Sequence, residues 1–380
     1  MSLSWRKAAA YAVGFGLVVA PLAACSSSSN NNAGGTSTGG SGGGSGQLVG
    51  VFMPTTQLPR WNRDGDELKK DLTANGYKVS VQFADNKNDT QISQIETAIN
   101  DNAKVLVIAS IDGTTLGPTL QKAAAKGIKV IAYDRLILNT PNVDYYATFD
   151  NEKVGTLQGQ FIEKQLGLKD GKGPFNFEAF AGSPDDNNAR FFFKGAYDIL
   201  KPYVDSGKLV SVSGKWPKSL DDWKSIGILG WGSDKAQAEM ENRLNSFYTG
   251  GKKVQVVLSP NDSLALGISK ALQNAGYTAG SDFPVLTGQD ADQANTVNIL
   301  NGLQSMTVWK DTRALATQTA KMVKQIIDGT TVDVNNTTDY NNGVKNVPSY
   351  LLDPQVVTKD TVQSILVDSG FWTKKDLGLS

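Results

Sequence analysis

From Leu48 onward the chain alternates short β-rich runs with helical patterns, an order that few folds accommodate. Runs at 48–53, 79–83, 105–109 and 130–133 are separated by helical patterns at 61–75, 90–100 and 116–126. Apolar runs of this length joined by crossover helices imply a parallel sheet covered on both faces. Such a sheet binds ligands beyond the carboxyl ends of its strands. The alternation restarts after the run at 145–149, with helices expected at 152–166, 184–200, 235–248 and 263–275. Between them lie runs at 175–180, 209–212 and 254–258, and a further run follows at 284–286. The fold class is therefore α/β, with two doubly wound, Rossmann-like lobes and a ligand cleft between them.

Upstream of this pattern the chain has a different character. Arg6 and Lys7 precede an apolar stretch over 8–22 that ends in Leu22-Ala23-Ala24-Cys25, the form of a signal peptide rather than a spanning helix. The small residues before Cys25 resemble a bacterial lipoprotein cleavage box, in which the cysteine is lipidated and becomes the mature N-terminus. The alternative is an ordinary secretory peptide with an incidental cysteine, and both place the protein outside the cytoplasm. Cys25 is the one cysteine of the chain, which excludes an internal disulfide. Residues 26–46 hold only Ser, Asn, Gly, Thr and one Ala, so they read as a flexible tether. A G-x-S-x-G match at 35–39 lies inside this tether, where no strand or helix can present the serine as a nucleophile.

Charge narrows the function. Lys plus Arg and Asp plus Glu number 37 each, so no net field favours nucleic acid or an acidic membrane surface. Histidine is absent, which removes the usual triads and the usual zinc and iron sites; no cofactor or metal is expected. An acidic segment at 85–96 has carboxylates at calcium-loop positions 1, 5 and 12, but Lys87 and Thr90 stand where a ligand and the turn glycine belong. A helix start at Asp89 explains it better.

Polar residues recur at the expected strand ends. Carboxylates come from Asp134, Asp186 and Asp290, donors from Arg60, Arg135, Asn188, Asn261 and Lys310, and aromatic rings from Trp61 and Trp231. A sugar offers hydroxyls that both donate and accept, plus a face of C–H bonds, so this inventory suits a monosaccharide. Each residue also has a plainer reading. Asp134-Arg135 fits a surface ion pair, Lys310 a solvated side chain, Trp61 and Trp231 core packing, and Asn261-Asp262 a turn or helix cap.

Longer motifs make the reading specific. Arg60-Trp61, Ala132-Tyr-Asp-Arg135, Phe149-Asp-Asn-Glu152, Gly182-Ser-Pro-Asp-Asp-Asn-Asn-Ala189, Leu200-Lys-Pro-Tyr203, Gly288-Gln-Asp-Ala291 and Val347-Pro-Ser-Tyr-Leu-Leu352 occur in this order. Together they resemble the D-xylose-binding and multiple-monosaccharide-binding proteins of bacterial sugar ABC importers, nearer the multiple-sugar branch. The resemblance runs from about Leu48 to the end, departing from both branches over 214–231. It implies a type I periplasmic binding protein fold with three crossings between lobes, closing on a pyranose by hinge motion. The lobes become 47–149 plus 311–345 and 150–310 plus 346–380. It also implies ligand contacts from Arg60, Trp61, Asp134, Arg135, Asp186, Asn188, Trp231, Asn261, Asp290 and Lys310, with Asn261 preferred as ligand and Asp262 as cap. The expected partners are a monosaccharide, the permease and ATPase subunits of an importer, a membrane sensor protein in the signalling alternative, and the membrane through the lipid anchor. The protein is expected to be a monomer and not an enzyme. A glycosidase acid and base drawn from Asp134, Asp186 and Asp290 is the enzymatic alternative, set back because Arg135 and Lys310 should keep the acids ionised.

In Ser183-Pro-Asp-Asp-Asn-Asn188, Ser183, Pro184 and Asp186 fit N-cap, N1 and N3 of a helix. Arg190 falls one turn beyond Asp186, where it either holds that carboxylate or reaches the ligand.

Overall fold

The computed structural model describes residues 46–380; the signal peptide, Cys25 and the tether up to residue 45 lie outside the described residues. The first lobe is built from β1 (Leu48–Met53), α1 (Pro59–Ala74), β2 (Lys78–Phe83), α2 (Asn88–Asn100), β3 (Val105–Ile108), α3 (Gly117–Ala125), β4 (Lys129–Tyr133) and β5 (Tyr145–Phe149). The second begins with α4 (Asn151–Leu166) and continues through β6 (Phe175–Ala179), α5 (Asn187–Asp205), β7 (Leu209–Ser211), α6 (Ser233–Phe247) and β8 (Val256–Leu258). It is completed by α7 (Asp262–Asn274), β9 (Val285–Leu286), α8 (Gln293–Leu300) and β10 (Thr307–Trp309). Then α9 (Thr312–Asp328) and β11 (Ser349–Leu352) return to the first lobe, and β12 (Gln355–Val357) lies in the second.

The first sheet runs β11-β5-β4-β3-β1-β2 with every pair parallel. Its central strands are buried on both sides, so apolar side chains leave each face and need helices to cover them. On one face α1 presents Trp61, Leu68 and Leu72 and α9 presents Leu315, Met322 and Val323. On the other, α2 and α3 bury Ile95, Ile99 and Leu120. Each of these aliphatic side chains contributes roughly 1.5–3 kcal/mol by leaving water. The second sheet, β7-β6-β8-β9, is also parallel, and β10 pairs antiparallel with β12 beside it.

Three expectations about boundaries change. The resemblance places residues 346–380 in the second lobe, but β11 pairs in parallel with β5, so the last crossing falls after Leu352. The apolar side chains of Tyr350–Leu352 complete the first sheet's edge rather than lead out of it. Helix α5 begins at Asn187, not Pro184, because Asp186 is extended (φ −101°, ψ 116°) and its carboxylate accepts the Asn188 N–H at 2.9 Å. Asp186 is thus the cap, while the Ser183 hydroxyl is bound to Asp185 and to the Gly230 N–H. Likewise Asn261 caps α7 through Leu264 N–H at 3.0 Å, and Asp262 is the first residue of the helix.

Helices α4 and α5 meet at a glycine pair. A Cβ on Gly155 would stand 1.8 Å from the Phe192 carbonyl, and one on Gly195 would stand 2.1 Å from that of Glu152. The two backbones therefore touch, which fixes the helix whose first turn carries Asp186 and Asn188. Gly155→Ala should force the helices apart and lower stability by about 2–3 kcal/mol, read from the urea midpoint at unchanged slope. An unaltered midpoint would mean that the contact is not required.

The cleft between the lobes

Every sequence-predicted contact residue except Arg190 lines one cavity. The first lobe supplies Arg60 and Trp61 at the start of α1, and Asp134 and Arg135 beyond β4. The second supplies Asp186 and Asn188 at the start of α5, Trp231 before α6, Asn261 capping α7, Asp290 beyond β9 and Lys310 beyond β10. All but Trp231 follow the carboxyl end of a strand, where helix starts and turns are free to vary without disturbing the sheet.

Charges of opposite sign interleave across the lobes. Arg60 lies 2.9 Å from Asp134, 3.5 Å from Asp290 and 3.1 Å from Asp64, while Lys310 lies 3.2 Å from Asp290 and 3.7 Å from Asp134. Arg135 pairs with Asp186 at 2.9 Å. All of these groups are buried, so none can stay charged without its neighbours. Burial alone would push the Asp134 carboxyl up, but Arg60, Lys310 and Arg135 outweigh it and hold the group below its usual range. Burial also opposes the Arg60 charge, and Asp134, Asp64 and Asp290 reverse that and raise its pKa well above the ordinary value. For Asp186 burial wins over Arg135 and the carboxyl is pushed up, contrary to the expectation that its cation would keep it low.

Aromatic rings frame the charges. Trp61 is fully buried with the guanidinium groups of Arg60 and Arg135 over its ring, 4.4 and 5.1 Å from the centroid. Trp231 donates its indole N–H to Asp186 at 3.2 Å, and its ring fills the space that a side chain at Gly182 would need, 2.0 Å from a Cβ there. Asp134, Trp231 and Asp290 adopt left-handed backbone angles, φ 58°, 56° and 101°. Such conformations cost about 1–3 kcal/mol each, and here they turn site side chains toward one cavity.

Asn188 has a more structural part than expected. Its amide donates to the Asp134 carbonyl at 2.7 Å, and its oxygen accepts from Tyr146 and Asn151 at 3.0 and 3.2 Å, which leaves one N–H for the cavity. Asn261 uses its oxygen as a cap, leaving the amide nitrogen. Arg190 does not line the cleft; its guanidinium lies 3.6 Å from Asp221 at the surface. Trp216 stacks on Tyr197 in the second core, and Trp223 is buried there too, so of the three tryptophans at 216–231 only Trp231 reaches the cavity. Leu58, Phe192 and Gln289 line it unforeseen. Gln289 was legible, since it stands beside Asp290 at a strand end; Phe192 was masked by its two phenylalanine neighbours.

Six lining atoms are buried with no well-aligned hydrogen-bond partner in the protein: Arg60 Nη2, Trp61 Nε1, Asp134 Oδ2, Arg135 Nε, Gln289 Oε1 and Asp290 Oδ1. Several sit within ion-pair distance but out of line. Buried polar groups are normally satisfied, so a cavity of donors, acceptors and rings is built for a compact ligand rich in hydroxyls.

Residues 49–331 match the model of the periplasmic binding protein domain. The chain belongs to the periplasmic binding protein family. Among its relatives in that family, the multiple sugar-binding periplasmic receptor ChvE of Rhizobium radiobacter is 51% identical over 87% of this chain and 92% of its own. The D-xylose-binding periplasmic protein of Escherichia coli is 37% identical over 87% and 92%. The structure of an ABC transporter solute-binding protein from Clostridium phytofermentans with bound β-D-glucose superposes with a TM-score of 0.83 at 49% identity, covering 87% of this chain and all of that one.

Behind the cavity this binding protein buries two more acids. Asp262 accepts from Gln304, Thr307 and the Asp292 N–H, while Asp292 faces Arg63 at 3.4 Å. Burial and the nearby Asp290 push Asp292 up to about 7 against the pull of Arg63, Arg60 and Lys310, and burial and Asp292 push Asp262 well up. The folded chain therefore keeps a proton on Asp292 that the unfolded chain has released between about pH 4 and 7. Stability should fall as pH rises through that window, and Asp262, also kept protonated by the fold, adds to the fall. Asp64 and Asp186, also raised, act in the same sense, while the lowered Asp134 matters only below about pH 4. The denaturant midpoint should drop between pH 5 and 8, with a shallower drop in Asp292→Asn; equal slopes in both proteins would contradict this assignment.

Proposed function

We propose that the chain is the extracytoplasmic binding component of a monosaccharide ABC importer, taking an aldopyranose such as xylose, glucose, galactose or arabinose. The observation that carries the reading is the convergence, in a cavity walled by Trp61, Trp231 and Phe192, of Trp61 Nε1 and Gln289 Oε1 without partners and of Arg60, Asp134, Arg135 and Asp290 atoms whose ion pairs leave them out of line for hydrogen bonds. Hydroxyls that donate to Asp134 and Asp290 and accept from Arg60 and Arg135 would satisfy that set, with the rings against the C–H face. The relatives' names and the bound glucose in the similar structure point to the same ligand class. Arg60, Trp61, Asp134, Arg135, Asp186, Asn188, Trp231, Asn261, Asp290 and Lys310 form the contact shell in this reading, joined by Gln289. Export is supported by the periplasmic relatives, and the cleavage-box pattern supports lipidation at Cys25, which places the protein at the outer face of the cytoplasmic membrane or in the periplasm. The protein acts as a monomer and delivers sugar to the permease and ATPase subunits of the importer.

Calorimetry against those four aldoses should give reversible binding at one site without turnover, and absence of heat with all four would refute the reading. Asp134→Asn removes charge-assisted bonds worth about 1.5–3 kcal/mol, so affinity should fall about 10- to 100-fold. Small-angle scattering should record compaction when the preferred sugar is added, as hinge closure requires. An unchanged radius at saturation would exclude it.

A further inference from the structure

Arg63, one residue pair beyond the cavity on α1, crosses from the first lobe into the second without lining the site. Its guanidinium carbon lies 4.4 Å from the centroid of the Phe371 ring and 4.6 Å from that of Trp372, and its Nη2 lies 3.4 Å from Asp292. These partners pack mainly on the second lobe, although Arg313 of α9 also lies 5.2 Å from the Phe371 centroid and donates to the Ser369 carbonyl at 3.0 Å. Phe371 packs edge-on against Trp309 at 5.4 Å, the Trp372 indole donates to the Ala291 carbonyl at 2.9 Å, and Gln293 donates to the Asp376 carbonyl. Arg63 Nε and Nη1 are buried with no hydrogen-bond partner, so its guanidinium is held by two π faces and the Asp292 side chain. Its side chain is 23% exposed, and most of its lost hydration is replaced by contacts from the other lobe.

The clamp also touches the site through the chain. Ala291 and Asp292 directly follow Asp290, whose carboxylate lines the cavity and meets Arg60 and Lys310. Opening the lobes would strip Arg63 from both rings and from Asp292 together, and would free the loop that aims Asp290. We propose that Arg63, seated between Phe371 and Trp372 and against Asp292, is a latch that biases the lobes toward closure and so sets affinity for every ligand by one common factor. The C-terminal tail is the receiving half of this latch.

The inference rests on the sugar-binding reading for its affinity arm alone; its conformational arm needs no ligand. Arg63→Ala, Arg63→Lys and Trp372→Leu are compared with the parent chain by small-angle scattering without sugar, and by stopped-flow and equilibrium titration with D-glucose and D-xylose. The latch predicts a larger unliganded radius in Arg63→Ala and Trp372→Leu. It also predicts affinities for both sugars weaker by the same factor, about tenfold, with the change in the dissociation rate. Arg63→Lys, which keeps the charge and loses the planar fork, should fall between. An unchanged radius with unchanged affinities overturns the latch, and a loss that differs between the sugars overturns it by making Arg63 a ligand contact. If Arg63→Ala does not fold, Trp372→Leu carries the same comparison. If the parent binds neither sugar, the functional reading fails while the radius still decides the latch.

Discussion

Arg60 of the first lobe reaches Asp290 of the second, and Lys310 of the second reaches Asp134 of the first. These groups are buried, and each lobe supplies part of the neutralisation that the other needs. Separated, the lobes would hydrate these charges instead; together they exclude water and rely on one another. A ligand enters this balance by offering hydroxyls that finish bonds the ion pairs leave out of line. The reciprocal charge arrangement is therefore both the adhesive between the lobes and the recognition surface, and the left-handed turns at Asp134 and Asp290 are tolerated because they maintain it.

Much of this was legible in the chain because strand ends are a predictable place. Once the alternation of runs and helices is read as parallel sheets, polar residues just beyond each run must gather at one edge of each lobe, and all ten assigned residues do line one cavity. Directions were less legible. Whether Arg190 points inward depends on where α5 begins, and the apparent capping box at Ser183 moved that start by three residues. The true cap, Asp186, is also a site residue, so local and tertiary demands on one carboxylate look alike in sequence. Asn261 repeats the pattern, capping α7 with one atom and facing the cavity with another.

Two features had no sequence signal at all. The buried acids Asp262 and Asp292 come together only because the start of α7 and the turn after β9 are adjacent in space, 30 residues apart in the chain. The clamp on Arg63 joins α1 to a tail about 300 residues later, and no local pattern reports a contact of that span.

The pairing of β11 with β5 bears on how the chain is made. The edge of the first sheet stays open until Ser349–Leu352 is available, close to the C-terminus. A chain exported from its N-terminus cannot complete its first lobe while the rest is still crossing the membrane. Pairing across such a separation is entropically slow. The same topology that lets three segments join the lobes thus keeps the polypeptide loose enough to be threaded, and defers its compact form to the side where it works.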